Sequence, residues 1–162
     1  DISKAGLLHH YSSKDQLLAA VLDERDRRIV SLLPRAEEGA EAALDAWVEM
    51  VAHNQRHPDG VALYTAMSAA VIDSKHQAHP WFREHLIGAI SYLVEAFEHG
   101  KTTGEVREDA PSEQIARRLV AISDGLQVQW LCSRADGGRA LNMDEVMAGV
   151  VVDMKERWLR RS

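Results

Sequence analysis

A chain of 162 residues is the length of one compact domain, and its 46% hydrophobic and 27% charged residues exclude an intrinsically disordered protein. The formal net charge of -6 excludes DNA binding over the general surface, because phosphates repel it, so any DNA contact has to come from a local basic patch. The one cysteine, Cys132, excludes a disulfide framework within a chain and fits a reducing cytoplasm; there is no apolar run of membrane-spanning length, and no signal peptide is expected.

The pattern predicts helix from end to end, with no strand-like alternation, no repeat and no long linker. A short first helix is expected over about Ser3 to His10, with Ser3 as its cap. The next begins at Ser13-Lys14-Asp15-Gln16, which has the form of a capping box. Its apolar stripe is Leu17, Leu18, Val21, Leu22, Ile29 and Leu33; Asp23 to Arg28 reads as a solvated charged stretch, and Pro34 ends it.

After Gly39, Leu44, Trp47, Val48 and Val51 recur at i, i+3, i+4 and i+7 and share one helical face. That helix stops near His57-Pro58, since proline disfavours helix in the residue before it. Asp59 is the expected cap of the following helix, whose buried face is Leu63, Tyr64, Met67 and Val71. A polar, His-bearing loop from Asp73 to His79 leads to a helix opening at Pro80 and running to His99. Phe82, His85, Leu86, Ile90, Leu93, Val94 and Phe97 pattern it, Gly100 closes it, and Gly104 marks the turn that follows.

A helix from about Pro111 to Arg134 carries Ile115, Leu119, Ile122, Leu126 and Trp130. Gly137-Gly138 breaks the chain, and Asn142 caps a final helix with apolar positions Met143, Met147, Val150, Val151, Met154 and Trp158, widened by Val146 and Val152. A helix apolar on more than one face needs more partners than its own chain easily supplies, and a second copy is the simplest.

The segment from Ile2 to Leu18 resembles the signature of the tetracycline-repressor (TetR) family of transcriptional regulators. In that family a recognition helix is followed at once by an aromatic residue, a short turn, a lysine and a leucine pair opening a long helix. Here Ser3 matches the cap of the recognition helix, His10 the histidine before the aromatic, Tyr11 the aromatic, and Lys14 the lysine, with Leu17 and Leu18 as the pair. Leu8 stands where the family commonly has a phosphate-contacting tyrosine, and cannot donate that bond. Gly104 to Pro111, followed by Ser123-Asp124-Gly125-Leu126-Gln127, is similar to the family's turn into its dimer helix. The chain opens on Asp1 in what reads as the middle of a motif, so a longer gene product is expected. Two further family helices, expected to be basic, would precede this point. Without them the recognition helix lacks the partner that orients it in a major groove, so this stretch alone is not expected to bind DNA specifically.

The resemblance implies an all-α fold. Residues 1–34 would form the C-terminal part of a helix-turn-helix domain with its connecting helix, and 35–162 a ligand-binding and dimerisation domain. It implies a cytoplasmic, ligand-responsive regulator, a repressor released from operator DNA by a small organic effector, with no cofactor and no membrane partner. Ser3, Lys4, His9, His10 and Lys14 are the expected DNA contacts. A homodimer would set two recognition helices roughly 34–36 Å apart. Its interface is expected at Leu119, Ile122, Leu126, Trp130, Met147, Val150, Val151, Met154 and Trp158, with the two tryptophans as anchors or else as intrachain core. The effector pocket is expected among the central helices, lined by Trp47, Met50, Val51, Asn54, Tyr64, Met67, His85, Leu93, Phe97 and Gln127, unless these are ordinary core.

Two other readings compete. For an enzyme, His53 and His57 have metal-compatible i, i+4 spacing, with His76, His79 and His85 further along. No HExxH motif or third ligand accompanies them, so surface histidines are expected and no metal site. Gly137-Gly138 lacks phosphate-loop context and Cys132 lacks a catalytic partner pattern, so no enzyme is expected. The remaining alternative is a helical small-molecule-binding or scaffold dimer without DNA-binding activity.

Overall fold

The computed structural model describes residues 11, 13–135 and 141–160. Six α-helices carry them: α1 (Lys14–Val30), α2 (Ala40–Gln55), α3 (Pro58–Ala70), α4 (His79–Thr103), α5 (Ser112–Ala135) and α6 (Met143–Trp158). A 3-10 turn, Ala36–Glu38, joins α1 to α2. The described residues contain no strand, only an isolated bridge between Val106 and Leu159. The fold is all-α, as the periodicity predicts. The expected helix over Ser3 to His10 and the Gly137-Gly138 break lie outside the described residues.

Ser13 caps α1, its hydroxyl accepting the Gln16 amide at 3.1 Å. The same hydroxyl donates to Gln77 and so ties the start of α1 to the segment before α4. Several boundaries differ from expectation, each for a local reason. α1 stops at Val30, and Leu33 lies beyond it in a turn closed by the Leu32 and Leu33 amides on Ile29 and Val30. Val21, expected on the apolar stripe, is exposed. His57, not Asp59, occupies the cap of α3, and Asp59 falls in the first turn, where its charge suits the helix dipole. α4 starts one residue before Pro80, at His79.

Gly100 does not close α4. The helix continues to Thr103 and ends at Gly104, whose φ of 83° is the left-handed cap. Gly100 is needed for a different reason. The chain doubles back so closely that the Val106 amide bonds the Gly100 carbonyl at 2.9 Å. A Cβ at Gly100 would lie 2.5 Å from Val106 Cγ2.

The turn after α4 organises the rest of the body. Gly39 precedes α2 and has no side chain to cap it. Glu105 does so from across the fold: its carboxylate accepts the Ala40 and Glu41 amides at 3.0 and 2.7 Å. The Glu105 carbonyl accepts the Arg160 amide at 2.8 Å, and the Arg107 amide donates to Trp158 at 3.0 Å. α2 and α6 are thereby clamped at one end, with Lys155 bridging to Asp45 at 2.7 Å. At the other end Gln55 accepts the Met143 amide at 2.7 Å and donates to Asn142 at 2.9 Å. Asn142 is at the cap position of α6 but its side chain does not cap it.

Two separate apolar clusters hold the helices. The larger joins α2, α4, α5 and α6 through Leu44, Phe97, Leu119, Trp130 and Met147. The smaller joins α1 to α3 and the start of α4 through Leu22, Tyr64, Met67, Val71 and Phe82. Burying each such side chain stabilises by about 1.5–3 kcal/mol.

Replacing Gly100 by Ala should lower the urea midpoint, at a cost of about 1–3 kcal/mol, because the methyl group overpacks against Val106. Gly88→Ala is the contrast: its Cβ would meet nothing within 4 Å, and the gain in helix propensity should stabilise by about 0.5–1 kcal/mol and so raise the midpoint.

Candidate ligand cavity

A cavity of ≈ 660 Å³ opens among α1, α2, α4 and α5, with Tyr64 of α3 reaching its wall. That volume lies in the range of small-molecule sites. Of the residues expected to line a pocket, Trp47, Met50, Asn54, Tyr64, His85 and Gln127 do so. Val51, Leu93 and Phe97 do not: they turn the other way into the larger cluster. Met67 sits in the smaller cluster beneath Tyr64.

The polar groups on the wall form three sets. Trp47 Nε1 donates to Ser123 Oγ at 2.9 Å, and that hydroxyl donates to the Leu119 carbonyl at 2.9 Å. From α1, Arg25 Nη2 donates to Asn54 Oδ1 at 2.7 Å and the guanidinium lies 5.6 Å from the centre of the Tyr64 ring. Also from α1, Asp26 pairs with His85 Nδ1. The His85 ring is stacked on Trp81 at 5.1 Å and meets the edge of Tyr64 at 5.3 Å.

Burial governs the titration of these groups. It lowers the pKa of Arg25, opposed by the charges of Asp26 and Asp124. It raises Asp124, opposed by the Tyr64 hydroxyl turned toward it and by His85 and Arg25. Burial, and then the Asp124 charge, push the Tyr64 hydroxyl far above its ordinary value. Tyr92 is pushed up to about 12, again by burial first. Two buried atoms on the wall have no hydrogen-bond partner: Gln127 Oε1 and the Tyr92 hydroxyl.

The sequence reading missed Arg25, Asp26, Tyr92 and Asp124. The charge pattern puts Arg25 and Asp26 in a solvated stretch, yet the sequence carries a signal for them. Leu22 and Ile29 are seven residues apart on the buried face of α1, and positions 25 and 26 fall between them on that same face.

The remaining expected sites sort as follows. Ser3, Lys4, His9 and His10 lie outside the described residues, while Lys14 is exposed at the start of α1. Of the stripe expected at a dimer interface, Leu119, Leu126, Trp130, Met147 and Val151 are buried within the chain in the larger cluster. Ile122, Val150, Met154 and Trp158 are partly buried against the same core. Trp158 is held by the bond from Arg107 to its carbonyl and by the guanidiniums of Arg107 and Arg157 beside its ring. Exposed apolar side chains on these helices are Val128, Val146 and Val152. His53 and His57 stack on each other at 4.2 Å, and no group of three metal-ligating side chains occurs among the described residues.

Asp124→Asn should change the pH dependence of stability. With its pKa raised in the fold, Asp124 costs stability once pH rises above the ordinary aspartate value, and the cost levels off above the raised value. Urea denaturation should therefore find the variant gaining on the wild type as pH rises from about 4 to about 7, with the two converging at the acid end.

No family profile matches the chain. Over 160 residues, 99% of this chain and 76% of the relative, it is 24% identical to the HTH-type transcriptional repressor AcnR of Corynebacterium diphtheriae. A solved TetR transcription regulator from Haloarcula marismortui superposes with a TM-score of 0.77 at 23% identity, covering 98% of this chain and 81% of that one. Salmonella enterica GusR superposes with a TM-score of 0.67 at 21% identity, covering 95% of this chain and 79% of that one. No described helix is long and apolar enough to cross a membrane. With its helices arranged as in these structures from α1 to α6, the chain has the fold of the TetR regulator it superposes on.

Proposed function

We propose that the protein is a cytoplasmic, DNA-binding transcriptional regulator, a repressor that leaves its operator when a small organic effector fills the cavity. The observation that carries this reading is the position of the cavity against α1. The segment that resembles a recognition helix precedes α1 in the sequence, and Arg25 and Asp26 of α1 form part of the cavity wall. An occupant there touches the element that aims the reading head. The repressor name borne by AcnR supports the sign of the response.

The division into 1–34 and 35–162 is part of this proposal, and the way α1 is held supports it. Of the two apolar clusters α1 enters only the smaller, and its polar ties to the body include Ser13 to Gln77, Asp15 to His76, Arg25 to Asn54 and Asp26 to His85. Such ties exchange partners more readily than a packed core, which suits a lever. An effector that favours one setting of α1 would deplete the DNA-competent population by its difference in affinity for the two settings. Non-enzymatic action follows from this reading.

A homodimer is proposed to form across the outward faces of α5 and α6, around Val128, Val146 and Val152. Glutamate at both Val128 and Val146 should convert the dimer to monomer in sedimentation velocity while leaving the helical circular dichroism unchanged.

The function is tested with the gene product carrying its natural N-terminus, titrated against DNA from upstream of its own gene by fluorescence anisotropy at several salt concentrations. Tight binding that scrambled DNA does not reproduce is expected. Lys14→Ala should weaken binding to all sequences alike and reduce the salt slope by about 1, as for loss of one phosphate contact. Binding no better than to scrambled DNA, followed by an empty genome-wide selection, would leave the helical small-molecule-binding dimer as the function.

A further inference from the structure

The cavity has a chemical polarity that narrows what it can hold. On the α1 side, Arg25 presents a guanidinium with five N–H donors, of which one bond, to the neutral Asn54 amide, is made. Among the described residues no carboxylate stands at ion-pair distance from it. Asp26 is engaged by His85, and Asp124 faces Tyr64. At the rim, Arg35 pairs with Glu37, and Glu84 with Arg83 outside the wall, while Glu95 adds a further carboxylate.

On the α5 side the requirement is reversed. Gln127 is 7% exposed, and its Oε1 is a buried acceptor with no donor. A buried unsatisfied acceptor costs about 1–3 kcal/mol. The Tyr92 hydroxyl on α4 is buried and equally without a partner. Between the two sides the wall is apolar, with Ile29, Trp47, Met50 and Ala89.

We propose that the effector is an amphipathic organic acid, its carboxylate on the Arg25 guanidinium and a hydroxyl or amide N–H donated to Gln127 Oε1, with an apolar body between. The inference rests on the cavity being the effector site. It adds that the acid group is read on α1 itself. A charge-assisted bond to Arg25 would compete with the Arg25–Asn54 bond, one of the polar ties between α1 and the body.

The test uses three probes of one size on the full chain, by calorimetry: hydroxynaphthoate, naphthoate and naphthol. Hydroxynaphthoate should bind best. Arg25→Met should weaken both acids by about tenfold or more, the value of one hydrogen bond to a charged group, and leave naphthol unchanged. Arg25→Lys keeps the charge and should retain the preference for acids, which separates loss of charge from loss of fold. Gln127→Leu should bring hydroxynaphthoate down to the affinity of naphthoate without moving naphthoate. Naphthol binding as tightly as the acids, or all three weakening together in Arg25→Met with wild-type circular dichroism, would overturn the acid assignment and leave the cavity as a site. Failure of all three to bind would overturn the effector-cavity reading as well.

Discussion

A buried indole N–H must find an acceptor, and here that need sets the geometry of the cavity. Trp47 of α2 reaches Ser123 of α5, and Ser123 is braced by its own helix through the Leu119 carbonyl. This one crossing ties α2 to α5 by a polar bond within the apolar cluster that both helices enter. Residues further along each helix, Met50 and Asn54 on one and Asp124 and Gln127 on the other, then line a space that neither helix fills. α1 and α4 enclose that space, so the interaction that pins the body also defines what the body can hold.

Much of the architecture was legible because helical periodicity is a property of local sequence. The stripe Leu44, Trp47, Val48 and Val51 and the cap at Ser13 could be read from spacing alone. What could not be read was which of several apolar stripes would be taken by the chain's own core. Leu119, Trp130 and Met147 look equally suited to a partner or to α2 and α4, and only the three-dimensional arrangement shows that the latter take them. Gly100 was misjudged for a related reason. A glycine in the last turns of a helix suggests an end, whereas this one is kept small by a residue six positions on.

The site was half legible. Residues on apolar faces, such as Trp47, Met50 and Tyr64, announce themselves through the helical pattern. Arg25 and Asp26 do not, because a run of alternating charges ordinarily faces water. Their inward placement follows from the angle of α1, which the smaller cluster around Leu22 and Phe82 sets. A charge on a cavity wall is a long-range outcome, and its position in sequence carries only a weak trace of it.

The clamp at Glu105 bears on how the protein is made. Glu105 must be present to cap α2, more than sixty positions before it, and is itself held by the Arg160 amide. Lys155 likewise anchors to Asp45 across 110 positions. Contacts of such separation form late, since loop closure precedes any return from them. During synthesis α2 therefore waits with an open N-terminus and a bare apolar face until α6 has left the ribosome. Over that interval the apolar face of α2 is exposed on the nascent chain.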